Sequence, residues 1–280
     1  VTDNVKIMPI RIFDIAGLTY GDIADAIDTA WTRGADVLNN SWGVNLEGFY
    51  NDDVAVAIYR ALTEGRDDKG SLVVKSAGNT GDYVTFPGTV PGVLVVGAVT
   101  NENDPASYTP RDDEVDVVAP SSGGTLGITT MDRMGSNGYS AGDYYSNFGG
   151  TSAAAPQVSG LGALILSLNP DSEARSVGVS PNPQVQNTIK LTADDYGSTN
   201  WDSHGRINAN KGVRNLYVPQ VYPTITAALN VATGGQTVVV ASGTYSENIT
   251  MKSGVDVIGA SKTSTTIGVN PQSWTLLGKS

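Results

Sequence analysis

Ser152 lies in the stretch Phe148-Gly149-Gly150-Thr151-Ser152-Ala153-Ala154-Ala155-Pro156, ahead of an apolar run over residues 158–168. The run reads as a buried helix, so Ser152 falls at a strand-to-helix turn, at the positive end of a helix dipole. The glycines let other atoms approach the turn, and the alanines keep the first helical turn slim. A serine displayed this way suits nucleophilic acyl transfer, which also needs a base and donors for an oxyanion. The backbone N–H of Ser152 supplies one donor. Asn79, at the end of an apolar strand-like run, offers its side-chain NH₂ as a second. Each piece alone also fits a plain structural role. Ser152 could be a small-residue helix start, and Asn79 a turn residue with left-handed φ. Their pairing favours catalysis.

The elements that must position these residues alternate along the chain. Residues 5–12 suit a strand or extended segment. Residues 21–33 carry Ile23, Ala26, Ile27, Ala30 and Trp31 at helical spacing, with Gly34 placed to end the helix. Residues 37–41 read as a short buried strand, and residues 52–64 as an amphipathic helix closed by Gly65. Residues 72–77, 93–96 and 115–119 read as further strands. This alternation predicts an α/β fold with a mainly parallel sheet covered on both faces. Residues 184–191 read as a surface helix and residues 211–215 as a last short one. At about Leu216 the texture changes. A helix is expected over residues 222–232. Short strands at 237–241, 248–251, 255–258 and 265–267 then follow, separated by Gly, Ser and Asn, a spacing that suits the coils of a β-solenoid.

The 280 residues carry 17 Lys and Arg against 28 Asp and Glu, a net charge of −11. Such a chain repels phosphate, which argues against nucleic acid as a partner. Charged residues are only 16% of the total, and Gly, Ser, Thr and Asn fill the gap, a composition common in extracellular proteins. There are no cysteines, which excludes disulfides and thiolate metal sites. By sequence, no run approaches the ~18 apolar residues of a membrane span. The chain begins at Val1 without Met, and both ends read as cut from something longer.

Four stretches, in order, resemble the subtilisin-like serine proteases, or subtilases. They are Ala35-Asp36-Val37-Leu38-Asn39-Asn40-Ser41-Trp42-Gly43, Ser76-Ala77-Gly78-Asn79, Phe86-Pro87-Gly88 leading to Val95-Val96-Gly97-Ala98-Val99, and Gly150-Thr151-Ser152-Ala153-Ala154-Ala155-Pro156. Gly205-Arg206-Ile207-Asn208-Ala209 is similar to the segment that closes such domains. The resemblance covers residues 1–215 and implies a three-layer fold and a serine endopeptidase with a polypeptide substrate. It further implies that the substrate adds as a strand along Ser41, Trp42 and Gly43. Ala77 and Gly78 would wall the first specificity pocket, and Thr85 would stand at its base and make it shallow, disfavouring large aromatic side chains. By the same resemblance, Asp116 and the carbonyls of Gly88, Val90 and Val93 would hold a structural calcium or sodium ion. A solvated Asp116 is the equal alternative. The cluster Asp112-Asp113-Glu114 reads as a solvated acidic loop.

One departure is serious. The family triad runs Asp, His, Ser along the chain. Here the one histidine, His204, follows Ser152 and sits beside the closing segment, where the family has no catalytic residue. Asp14, in Asp14-Ile15-Ala16-Gly17, only faintly matches the catalytic-Asp motif and falls after the place the histidine should hold. The expectation is a domain without its N-terminal part, inactive alone, whose base and orienting carboxylate would come from a missing segment. Residues 216–280 resemble the start of a right-handed parallel β-helix of the pectin-lyase-like type. Two other readings stay open: a non-catalytic subtilase-like scaffold, and a carbohydrate- or surface-binding module in the β-helix.

Overall fold

The computed structural model describes residues 5–13, 17–168, 170, 172–174, 185–195, 204–260, 263–268 and 274–275. Asp14 lies outside them. Helix α1 (Tyr20–Thr32) is fixed at its start by Thr19, whose hydroxyl accepts from the Asp22 N–H. The Asp22 carboxylate accepts in return from the Thr19 N–H. Its buried residues, Ile23, Ala24, Ile27 and Ala30, recur at helical spacing. Strand β1 (Val37–Asn40) follows, then helix α2 (Asp52–Asp68), capped by the Asn51 side chain. Regular helix stops at Glu64, because Gly65 is extended and Arg66 and Asp67 have positive φ.

Strands β2 (Leu72–Ser76), β3 (Leu94–Val99) and β4 (Val117–Pro120) join β1 in a sheet of order β1-β2-β3-β4, every pair parallel. The two inner strands are buried throughout, which is why they read as continuous apolar runs. Ile58, Ala61 and Leu62 of α2, with Ile23 and Ile27 of α1, cover one face through Val73 and Val95. Helix α3 (Thr151–Leu168) covers the other, its Val158, Leu161 and Ile165 meeting Leu72, Val74, Leu94 and Val96. This gives the expected three layers. Helix α3 is long and apolar enough, by length and composition, to cross a membrane, contrary to the sequence reading. Half of it is buried against the sheet, which accounts for that composition.

Other sequence expectations need correction. Residues 5–12, expected as a strand or an extended segment, form no strand. A hairpin of β5 (Ile128–Met131) and β6 (Tyr144–Phe148), not expected from the sequence, precedes α3. Three of its exposed residues are apolar (Met131, Tyr144, Phe148), so no clean alternation marks it. Helix α4 (Val185–Thr192) is no surface helix, since Val185, Gln186, Thr188, Ile189 and Thr192 are buried against α3. Helix α5 (Ala209–Arg214) follows, and Asn208 caps it.

The last part has its own core of Leu216, Val218, Ile225, Leu229, Val238 and Val240, among others. Strand β7 (Asn215–Val218), helix α6 (Ile225–Val231), and strands β8 (Thr237–Val240), β9 (Gly243–Tyr245), β10 (Asp256–Gly259), β11 (Thr265–Ile267) and β12 (Trp274–Thr275) build it. Strand β8 pairs in parallel with both β7 and β10, and β9 pairs in parallel with β11. Strand β12 runs antiparallel to β11. Residues 248–251 form no strand. The Glu247 carboxylate accepts from the N–H groups of Ile225 and Thr226 at the start of α6, at 3.0 and 2.9 Å.

Candidate active site

The carboxyl ends of β1 and β2 and the amino end of α3 meet at one place, as expected where an open parallel sheet displays its strand ends. Gly150 makes the turn into α3 with φ +80°, and a Cβ there would stand 3.1 Å from Asn79 Nδ2. Loop groups clamp its peptide. The Ser121 hydroxyl donates to the Gly150 carbonyl at 2.8 Å, and Tyr108 Oη accepts from the Gly150 N–H at 3.2 Å.

Ser152 is the second residue of α3, so its N–H has no helical carbonyl to meet. Its hydroxyl donates to the Ser41 carbonyl at 3.3 Å, while the Ser41 hydroxyl donates to the Ser152 carbonyl at 3.0 Å. Asn39 reinforces this link by donating to Ser41 Oγ and accepting from the Ser159 hydroxyl, each at 3.0 Å. Ser152 is thus tied to the residue that follows β1.

Asn79 follows β2 through Ala77 and Gly78, the latter at φ +105°. The Thr151 N–H donates to Asn79 Oδ1 at 2.9 Å, which fixes which end of the carboxamide is oxygen. The Thr151 hydroxyl lies 3.0 Å from both Asn79 Oδ1 and the Gly78 carbonyl and accepts from the Gly78 N–H at 3.1 Å. With Oδ1 held, the NH₂ end is left to serve a negatively charged oxygen.

Ser41, Trp42, Gly43, Gly78, Asn79, Thr85 and Ser152, all singled out from the sequence, line one cleft of about 260 Å³. Ala77 does not. Its N–H and carbonyl bond Val96 and Thr85, and its side chain is fully buried in the core with Val73 and Val95. The cleft wall is made instead by Lys75 and Ser76, which sequence reasoning missed. The signal was a lysine inside an otherwise apolar strand, Leu72-Val73-Val74-Lys75-Ser76. Thr85 is wedged between two glycines. A Cβ on Gly78 would lie 2.6 Å from Thr85 Cγ2, and one on Gly43 2.7 Å from Thr85 Oγ1. Lys75 is 1% exposed. Its ammonium donates to the Ser76 carbonyl and lies 3.3 Å from the hydroxyls of Ser76 and Thr85. Burial pushes its pKa down to about 7.

The expected cation site does not fit the residues present. Lys190 Nζ stands 2.6 Å from Asp116 Oδ1, and the Val95 N–H donates to Asp116 Oδ2 at 2.8 Å. The Val90 carbonyl accepts from the Val93 N–H at 3.2 Å. An ammonium already neutralises the one carboxylate of the set, so a metal ion would compete with Lys190. Among the described residues, no group of three or more His, Asp or Glu side chains is arranged to hold a metal. His204 lies within 3.1 Å of the Asp116 carbonyl through Nδ1. Asp116 just precedes β4, at the amino end of the parallel sheet, whereas Ser152 and Asn79 lie at its carboxyl end. The histidine and the serine are therefore at opposite ends of the strands.

Comparison with known proteins agrees with this architecture. The model of the subtilase family, peptidase family S8, matches residues 1–207. A "calcium-dependent protease" of Nostoc sp. is 32% identical over 262 residues, covering 80% of this chain and 38% of the relative. A "thermophilic serine proteinase" of Bacillus sp. is 34% identical over 213 residues, covering 75% of this chain and 46% of the relative. The chain thus spans less than half the length of these curated relatives. Among solved structures, a protease from Pseudoalteromonas arctica superposes with a TM-score of 0.58 at 28% identity, covering 75% of this chain and 62% of the other. With its family model matched over most of its length, and a serine, an asparagine and a helix start gathered at the open end of a parallel sheet, the chain belongs to the subtilase family.

Proposed function

We propose that this chain carries the nucleophile and the oxyanion hole of a serine endopeptidase. The observation that carries the reading is the Thr151 N–H bond to Asn79 Oδ1, which leaves the Asn79 NH₂ as the free end of the amide beside the α3 start. In the reaction, Ser152 Oγ attacks the scissile carbonyl and an acyl ester forms as the peptide C–N bond breaks. Water then releases the acid. The tetrahedral oxyanion receives hydrogen bonds from the Ser152 N–H and Asn79 Nδ2. A substrate strand lies along Ser41, Trp42 and Gly43, just past the edge strand β1.

The proton from Ser152 must go to a base. The one histidine of the 280 residues is engaged at the far end of the sheet, and among the described residues none that lines the cleft is acidic or imidazole. The base and its orienting carboxylate are therefore assigned to polypeptide outside these residues, and the 280 residues by themselves are expected to be inactive. Oxyanion binding without a complete triad leaves only ~10³–10⁴ over water. Calcium, which the name of the Nostoc relative attaches to that protein, is not placed at Asp116. We assign residues 216–280 to a separate unit, the beginning of a parallel β-helix. The parallel pairing of β7, β8 and β10, and of β9 and β11, supports it, with α6 packed on the same core.

The test compares peptide hydrolysis by the full-length protein, by its Ser152→Ala variant, and by residues 1–280. The expected result is turnover in the usual enzyme range of roughly 1 s⁻¹ or more for the full-length protein, and none for the other two. Hydrolysis by the Ser152→Ala protein at the wild-type rate sinks the reading.

A further inference from the structure

Among the described residues, the cleft that holds Ser152 is lined by one cation and no carboxylate. Lys75 lies in it almost wholly enclosed, and among the described residues no acidic group forms an ion pair with it. Its neighbours are a carbonyl and two hydroxyls, each able to accept a hydrogen bond but none able to neutralise a charge. A buried ammonium so placed either gives up its proton or gains from an anion brought in beside it. An ammonium has three N–H donors. The Ser76 carbonyl takes one. The contacts to Thr85 and Ser76 hydroxyls, at 3.3 Å each, are long and can be exchanged for a better acceptor.

The occupant of that space is defined by the site. When a substrate carbonyl sits between Ser152 Oγ and the oxyanion donors, the side chain nearest the cleft wall belongs to the residue that owns that carbonyl. Resting on the endopeptidase reading, we propose that this residue is acidic: the enzyme cleaves after glutamate or aspartate, whose carboxylate is received by the Lys75 ammonium and the Thr85 hydroxyl. Two further features favour it. Thr85, wedged against Gly43 and Gly78, narrows the cleft against aromatic rings. An apolar side chain, by contrast, would offer Lys75 no acceptor. A carboxylate placed beside Lys75 would offset the burial that otherwise opposes its charge.

The test uses the full-length protein carrying Ser152→Ala, so that binding is read without turnover. Three fluorescent peptide amides, identical except for a last residue of Glu, Gln or Leu, are titrated by anisotropy at about pH 6, where the ammonium is present and the glutamate ionised. The Glu peptide is expected to bind about tenfold to a hundredfold tighter than its Gln isostere, the range for a hydrogen bond between charged groups. Adding Lys75→Met should bring the ratio close to one. That variant removes a buried charge and keeps a linear side chain, so its fold is not at risk, and far-UV circular dichroism verifies it. Cleavage by the wild-type protein should show the same order in kcat/KM. Equal binding of the Glu and Gln peptides, or a ratio untouched by Lys75→Met, overturns the proposal while leaving the endopeptidase reading standing. Cleavage after Leu or Gln with no gain for Glu does the same. If no peptide is bound or cleaved in a Ser152-dependent way, the endopeptidase reading falls and this inference falls with it.

Discussion

Lys75→Met should remove the pH dependence that Lys75 gives the fold. The lysine is charged in the unfolded chain up to about pH 10.5 but in the folded protein only up to about pH 7, because burial opposes its charge. Between these values the unfolded chain binds more protons, so wild-type stability rises with pH across that window. Below about pH 7 the ammonium is charged in both states and its burial is fully unfavourable. The gap from 10.5 to about 7 corresponds to on the order of 5 kcal/mol at ~1.36 kcal/mol per pH unit. Methionine removes that penalty. It also leaves the Ser76 carbonyl without its donor, a loss of about 1–3 kcal/mol that does not change with pH. The variant should thus be more stable than wild type by a few kcal/mol near pH 6. Its advantage should shrink by roughly 3 kcal/mol by about pH 9.5. Urea titrations followed by far-UV circular dichroism at the two pH values read this difference directly, since all other titrating groups are shared by both chains. A stability difference that stays constant between the two pH values, or grows in favour of methionine as pH rises, refutes the reasoning.

Other outcomes follow from the same geometry. Thr151→Val keeps the N–H on Asn79 but removes the hydroxyl that lies between Asn79 Oδ1 and Gly78. In the full-length protein it should lower kcat several-fold at unchanged KM, and Asn79→Leu should lower it by ~10²–10³, a magnitude that comes from a subtilisin's own oxyanion asparagine. An equal loss in KM for either variant would mean the residue serves ground-state binding. Lys190→Ala strips Asp116 of its ammonium and should cost about 1–3 kcal/mol in metal-free buffer. Added calcium should raise the Tm of the variant more than that of wild type, and an identical calcium response in both would show that Lys190 does not hold the place of a cation. Glu247→Gln weakens the acceptor that holds the first two N–H groups of α6 and should destabilise the last part of the chain by ~1 kcal/mol, seen as earlier proteolysis beyond Leu216.

Much of this site was legible in the sequence because its parts depend on backbone constraints. Gly78 and Gly150 hold positive φ where the chain turns from a strand end or into a helix, so each leaves a glycine in the sequence beside the residue it positions. The small residues after Ser152 mark the close fit of α3 on the sheet. The apolar runs of β2, β3 and β4 follow from burial on both faces. Less legible were the parts set by partners distant in the chain. Asp116 reads as a cation ligand or a solvated residue because its neutralising group, Lys190, lies on a helix whose burial depends on α3. The β5 and β6 hairpin carries apolar residues on its exposed side, which erased its alternation.

Lys75 is the clearest case of that second kind. In a strand buried on both faces, alternation cannot tell a core position from one that looks into a cleft. The family resemblance makes Ala77 a pocket wall, yet in the fold Lys75 lines the cleft and Ala77 does not. Ala77 turns to the core with Val73, two pairs of residues back on the same strand face, while the flexible stem of Lys75 carries its ammonium past Ser76 to Thr85. The stem is what breaks the rule of alternation. A four-carbon side chain can leave its own face near a strand end and place its charge beside a loop residue, which no short side chain at that position could do. A lysine within an apolar strand that leads toward the proposed oxyanion asparagine is therefore better read as part of the proposed substrate cleft than as a fault in the core, and the Glu-against-Gln comparison with Lys75→Met decides between those two roles.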